Sequence, residues 1–301
     1  MQLENIKGRS YYLKGGTNTG VYIFEDNSAL VIDPGLSNSR ANRLIKMFEK
    51  QGIKVKYIIN THEHSDHYGA SKVILDHFKD CKSLSSYDAK LVIDNPYIFN
   101  MYTYGGKSNR FFDDNFKNRG EILRVDETLD EGKIILNNEE FEIVNLKGHS
   151  LGHIGVMTKD KVLYLGDSLL NENILEKFNF PFIIDVESEL NTLENIKNMD
   201  FDFGVIGHGN PLLTKKEVFD LADYNIETIN KYIEQIKGVL DNKCTQEELL
   251  AYIIEKNNLI LNYKEYYFSK STLASMVSYL IEKDMVEYKI ECGKIYYSLK
   301  K

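Results

Sequence analysis

The sequence predicts an α/β layered domain followed by a small helical module that closes on a hairpin. Three observations carry this prediction. Short β-rich runs alternate with helical ones through the first two thirds of the chain, and segments bearing His or Asp sit just past several of those runs. From Thr214 onward the apolar spacing turns helical. A sheet whose strand ends carry polar clusters, with helices between the strands, puts a site along one sheet edge.

Residues 11–13, 21–24 and 29–32 read as strands separated by turns containing Gly and Asn, and residues 40–51 as a helix. The β-branched run 55–60 reads as a buried strand, and a histidine cluster follows at its end, on a strand-to-helix loop. Residues 141–146, 154–158 and 161–165 form a second set of strands, with a hairpin turn at Asp160 and Lys161, and residues 203–206 form another. Thr214 and Glu217 match a capping box, and Ile226, Ile229, Ile233, Ile236 and Leu240 then recur on one face of a long helix. Residues 246–256 and 271–283 read as two more helices. Strands at 285–290 and 294–299 turn at Cys292-Gly293, and the order resembles a winged-helix module. The expected organisation is therefore a catalytic domain at 1–213, a connecting helix at 214–240 and a winged-helix-like domain at 241–301. No internal repeat interrupts it.

A chain of 301 residues, 43% hydrophobic and 27% charged, is long enough for one large core plus a small one. Its first ten residues lack the apolar stretch of a secretory signal, and no apolar run is of bilayer-spanning length. Three widely spaced cysteines without a Cys-x-x-Cys pattern argue against a disulfide framework or a thiolate metal site, so the expected location is cytoplasmic. A net charge of −8 opposes loose association with nucleic acid or anionic lipid.

Histidine is scarce, 7 of 301 residues, yet His62, His64 and His67 fall within one heptapeptide, Thr61-His62-Glu63-His64-Ser65-Asp66-His67. In an extended loop residues i and i+2 point the same way, so His62 and His64 can grip one ion while Asp66 and His67 turn toward a neighbouring position. Imidazole and carboxylate donors suit zinc, with iron or manganese as alternatives. Three further segments, Gly148-His149-Ser150, Gly166-Asp167-Ser168 and Gly207-His208-Gly209, share one form: a glycine lets the backbone turn while the adjacent His or Asp projects. Singly each is weak; with the first cluster they supply further ligands.

The segment THEHSDHYGA resembles the His-x-His-x-Asp-His signature of the metallo-β-lactamase superfamily, and the later Gly-His, Gly-Asp and Gly-His segments and Val31-Ile32-Asp33-Pro34-Gly35 agree in order. The resemblance covers roughly residues 10 to 210. It implies an αββα sandwich with two metal ions, zinc first, at the edge between its sheets. By that resemblance His62, His64 and His149 bind the first ion, Asp66, His67 and His208 the second, and Asp167 bridges both. Asp33 supports the ligands from behind. The implied chemistry is hydrolysis by a metal-bridged hydroxide, with Asp66 also orienting the water.

Two departures from the pattern matter. The signature often ends in Gly-Gly, where this chain has Gly69-Ala70, and His153 follows His149 by four residues. Because both ion sites are already filled, His153 is expected behind the ligands, and His77 is expected to be structural or solvated. Small esters, thioesters or lactones are the expected substrates. The alternatives are a metal-dependent ribonuclease or phosphodiesterase, and a mononuclear-iron persulfide dioxygenase. The aromatic-rich segment 95–112 is the one hint of a pocket: Tyr102 and Tyr104 as wall, Lys107 or Arg110 for an anionic group, Gly105 and Gly106 as hinge. The competing reading is a helix or loop packed on the sheet or on a dimer partner. The terminal module, with nine basic and nine acidic residues after residue 240, is expected to brace the active site or form a homodimer contact rather than bind nucleic acid.

Overall fold

The computed structural model describes residues 2–113 and 123–300. In chain order the strands are β1 (Glu4–Lys7), β2 (Ser10–Leu13), β3 (Thr19–Ile23), β4 (Ser28–Ile32), β5 (Lys54–Ile59), β6 (Lys82–Ser85) and β7 (Glu127–Thr128), which pair in that order into one sheet. The second sheet runs β13-β12-β11-β10-β9-β8, from β8 (Gly132–Leu136), β9 (Glu139–Asn145), β10 (Ile154–Thr158), β11 (Val162–Gly166), β12 (Phe203–Ile206) and β13 (Leu212–Thr214). The helices are α1 (Asn38–Lys50), α2 (Ser65–Tyr68), α3 (Ser71–His77), α4 (Tyr87–Ile93), α5 (Tyr97–Tyr104), α6 (Arg110–Asp113), α7 (Glu172–Phe178), α8 (Val186–Ile196), α9 (Lys215–Leu240), α10 (Gln246–Lys256) and α11 (Tyr263–Glu282), and β14 (Val286–Glu291) with β15 (Lys294–Leu299) makes the terminal hairpin.

Period-2 alternation decides which layer each side chain joins. In β4, Leu30 and Ile32 face the other sheet, while Ala29 and Val31 pack under α1 with Leu44 and Phe48. In β11, Val162 and Tyr164 join Leu30 and Ile32 between the sheets, and Leu163 and Leu165 face α8 and α9. Four layers follow, the αββα sandwich expected from the sequence. β4, β5 and β6 are parallel, as are β11 and β12, so the chain leaves β4, β5, β11 and β12 at strand ends that carry the site.

The long helix begins where expected, at a capping box closed by Thr214 and Glu217. The next-to-last helix also matches its expected span. The last does not: it starts at Tyr263 instead of residue 271, because Asn262 and Glu265 form a capping box and the aromatic run behind them packs against α5 and the α7–α8 connection. Helices and a terminal hairpin are present in this region. Its core is continuous with that of the second sheet, one cluster running from Leu163 and Leu165 through Ile196, Ile229 and Ile236 to Leu249, Leu273 and Val286. Among the described residues no helix is long and apolar enough to cross a membrane.

Candidate metal centre

Every sequence-predicted ligand reaches one edge of the sandwich. His62, His64, Asp66 and His67 follow β5, His149 lies between β9 and β10, Asp167 follows β11 and His208 follows β12. His62, His64 and His149 offer donor atoms within 4.8 Å of one another, and so do Asp66, His67 and His208. Asp167 stands between the two groups, its Oδ2 3.3 Å from His67 Nε2, 3.2 Å from His208 Nε2 and 3.9 Å from His149 Nε2. Close backbone approach makes this convergence dependent on glycine. A Cβ at Gly207 would lie 2.1 Å from Asp167 Oδ1, and one at Gly166, whose φ is +53°, would lie 2.6 Å from Thr61 Oγ1.

Hydrogen bonds behind the cluster set which ring nitrogen each histidine presents. The Asp33 carboxylate accepts from the Thr61 amide at 2.8 Å and the Thr61 hydroxyl at 2.7 Å, and it faces His67 Nδ1 at 2.8 Å. Thr61 has given its one hydroxyl proton to Asp33, so at 3.0 Å it accepts from His62 Nδ1–H and leaves His62 Nε2 as a lone pair. His149 Nδ1 donates to the Phe182 carbonyl at 3.0 Å, and His208 Nδ1 to that of Gly16 at 2.6 Å, which turns both Nε2 atoms inward. Asp33, His62 and His67 also cluster closely enough to hold an ion, but Asp33 is already committed to three hydrogen-bond partners. His153 Nε2 accepts the Asp167 amide at 3.0 Å, and its ring stacks on that of His62 at 4.7 Å.

The donor set fits a cation. Buried His62 Nε2 and Asp167 Oδ1 have no hydrogen-bond partner among the described residues, an arrangement that costs free energy unless something else satisfies them. His149 Nε2 and His64 Nδ1 are 3.1 Å apart, and two ring nitrogens that close need a shared proton or a cation between them. Electrostatics divides the site in two. Burial, reinforced by neighbouring histidines, holds His62 and His64 well below the usual imidazole range; burial also lowers His149, against the pull of Asp167. Burial acts in the same direction on His208, but Asp167 and Asp66 outweigh it and raise His208 to about 10. Against the effect of burial, His67 and His208 keep the carboxyls of Asp66 and Asp167 below the ordinary range.

Several contributors escaped the sequence reading. Thr61 orients His62. Glu63, buried with its carboxyl raised by that burial, accepts from Ser150 Oγ at 2.9 Å and the Leu151 amide at 3.2 Å, tying the His149 loop to the first cluster. Both lie inside the motif already singled out. Phe182, Lys264 and Phe268, which line cavities beside the ligands, had no local signal because separate segments bring them together, whereas Phe99 lies in the aromatic segment already singled out. Segment 95–112 is a helical segment rather than a hinged flap: α5 ends at Gly105 in the left-handed conformation (φ +84°), and its Tyr104 ring packs 4.5 Å from that of Tyr267 on α11. Tyr102 sits half-buried behind Phe99, its phenol raised by burial and by Glu63. Tyr102, Tyr104, Lys107 and Arg110 are not among the residues lining either cavity, and Lys107 and Arg110 are exposed, with Arg110 over the Phe111 ring. His77 pairs with Glu49 at the surface, away from the site.

The family model of the metallo-beta-lactamase superfamily matches residues 13–208. A hydroxyacylglutathione hydrolase of Haemophilus influenzae is 30% identical over 159 residues, 52% of this chain and 68% of that one. A "Probable metallo-hydrolase" of Methanocaldococcus jannaschii is 26% identical over 198 residues, 64% of this chain and 89% of that one. Among solved structures, a beta-lactamase domain protein from Burkholderia ambifaria superposes with a TM-score of 0.75 at 15% identity, covering 99% of this chain and 93% of its own. A metallo-beta-lactamase family protein from Thermus thermophilus superposes with a TM-score of 0.68 at 16% identity, covering 94% of each chain. At these identities the two structures speak to fold alone.

Proposed function

The chain belongs to the metallo-beta-lactamase superfamily and is a metal-dependent hydrolase, and from that membership we propose that it hydrolyses thioesters with two divalent metal ions, zinc in the first instance. The position of Asp167 Oδ2 between two donor groups carries this reading, since one carboxylate oxygen within reach of His67, His208 and His149 suits a bridge between two ions. In the proposed assignment His62, His64 and His149 hold one ion, Asp66, His67 and His208 the other, and Asp167 both. When bound, such ions polarise a scissile carbonyl and bring the ionisation of water close to neutral pH.

The protein's own groups do the rest. Asp66, kept ionised by His67 and His208, lines both cavities, so its free oxygen can accept a hydrogen bond from the attacking water and orient it. His149 and His208 are fixed by carbonyl acceptors and present preorganised donor atoms to the reacting centre. Thioesters are preferred to other esters because hydroxyacylglutathione, named for one of the relatives above, is a thioester. Elemental analysis with a panel of thioester, lactone, phosphodiester and RNA substrates tests the reading. Two zinc ions per chain and fastest turnover of a thioester are expected. One tightly held iron without thioester hydrolysis would overturn it in favour of oxygen chemistry.

A further inference from the structure

Two cavities of unequal size meet at His64 and Asp66. The larger, 990 Å³, runs outward from His149, Asp167 and His208 between the α7–α8 region and the start of α11. The smaller, 100 Å³, opens on the other side of His64 and Asp66, beneath Val92, Pro96 and Phe99. Phe268 and Lys264 of α11 belong to both walls, so the terminal module stands where the two spaces join.

The wall nearest the donor cluster is built from phenylalanines remote in sequence. Phe99 comes from α5, Phe182 from the α7–α8 connection and Phe268 from α11. The Phe182 and Phe268 ring centroids are 4.7 Å apart, and those of Phe99 and Phe268 5.9 Å. Phe99 and Phe182 also lie 5.2 and 5.8 Å from the His64 ring. Farther out the larger cavity is lined by Ile174, Leu175, Leu259 and Leu261. A cleft at the top of the roughly 300–1,000 Å³ range typical of ligand pockets is oversized for a short ester; beside these apolar side chains its wall also carries Glu176, Asn179, Asn258, Asn262 and Glu265.

Resting on the thioesterase reading above, we infer that the substrate is a thioester with unequal arms. An extended apolar chain lies along Phe182, Phe268 and Leu259 in the large cavity, and a compact arm occupies the small cavity beside Phe99. Hydrolysis is balanced in the ordinary way: water adds to the carbonyl carbon, the C–S bond breaks, and a carboxylic acid and a thiol leave by the two spaces. α11 is thereby a specificity-determining element, although it supplies no donor to the metal centre. Each methylene buried in the cleft should tighten binding by about fourfold at most.

The test uses the full chain loaded with zinc. Acyl thioesters from acetyl to octanoyl on one thiol, and acetyl thioesters of short and long alkyl thiols, are compared for kcat and KM. Lengthening one of the two arms should lower KM by about tenfold or more, and lengthening the other should not. Phe268→Ala, and Phe268→Leu as the variant that spares packing, should flatten this dependence with metal content unchanged. Calorimetry of an S-octyl against an S-methyl thioether of one thiol acid reads the cleft without any reaction. Equal affinity of the two thioethers, or a chain-length dependence untouched in both variants, would overturn the inference. Chain-dependent thioether binding without hydrolysis of any thioester would support the apolar cleft and remove the thioesterase reading instead.

Discussion

Asp33 adopts a left-handed backbone conformation, φ +52°, which aspartate tolerates better than most residues, and the cost is offset by a carboxylate that engages the Thr61 amide, the Thr61 hydroxyl and His67 at once. Asp33→Asn keeps the shape but makes one of those three partners face an amide N–H₂. Loss of roughly 10- to 100-fold in metal affinity is expected by chelator competition, as for other groups that support a ligand from behind. Unchanged affinity would reduce Asp33 to a turn residue. Asp167→Ala removes the one carboxylate among the described residues that faces both donor groups, so both ions, rather than one, should fall in occupancy by elemental analysis. A third side chain, far from the metals, governs acid stability. Glu139 binds Tyr22, Arg9 and Lys159, and although burial opposes ionisation these partners hold its carboxyl below the ordinary range. A depressed folded value means stabilisation present above the unfolded pKa, about 4.3, and lost as pH falls through the folded one. Glu139→Gln should therefore cost about 1.5–3 kcal/mol near neutral pH, shrinking toward zero in acid, by denaturant titration across pH.

Two connecting segments, rather than the strands, hold the outer ends of the ligand set. The segment 14–18 gives the Gly16 carbonyl to His208, and its Thr17 hydroxyl donates to the Asp66 carbonyl at 2.7 Å. Arg40 of α1 secures that segment by donating to the carbonyls of Leu13 and Lys14 and to Thr19 Oγ1. On the other side Thr272 of α11 donates to the Pro181 carbonyl and accepts from the Ile183 amide, bracketing the Phe182 carbonyl that orients His149. The two anchors should therefore be separable. Arg40→Met is expected to weaken the ion held by Asp66, His67 and His208, and Thr272→Val the ion held through His149, each by roughly tenfold or less because the effect passes through backbone. Stepwise metal titration by calorimetry reads both. A uniform loss in either variant would point to general destabilisation. α11 also shows how a readable signal can be passed over. Asn262-x-x-Glu265 is a capping pattern in plain sequence, yet Tyr263, Tyr266, Tyr267 and Phe268 do not keep a single amphipathic face, since they serve the catalytic layers as well as their own module.

The terminal module shares its core with the second sheet, and its charges are spent locally. Lys243 and Lys289 pair with Glu291, Lys270 with Glu247, Lys283 with Glu187 of α8, and Lys300 with Asp284. With five of the module's nine lysines shown facing carboxylates, the surface offers limited counterion release to a polyphosphate. Titration of the full chain with labelled duplex DNA and with RNA should give no sub-micromolar, salt-sensitive binding. Such binding would bring back the nuclease reading.

The donor set was legible because chemistry confines it: ions of this kind need His and carboxylate at strand ends, scarce residues stand out, and glycines mark where the backbone must turn or approach closely. The layered α/β character was legible for a similar reason, since the apolar runs within 29–32 and 161–165 declare strands buried on both faces, while the αββα arrangement itself came from the family resemblance. Edge strands such as β1 and β7 are short and polar, with no buried face to announce them, and passed unread. The cleft was legible at one wall alone, the aromatic segment 95–112 that holds Phe99. Phe182 and Phe268 are unremarkable within their own segments, and each becomes part of a wall only when α5, the α7–α8 connection and α11 pack together. Local pattern determines which groups can bind an ion, because a ligand motif is short; long-range packing decides what space is left beside them.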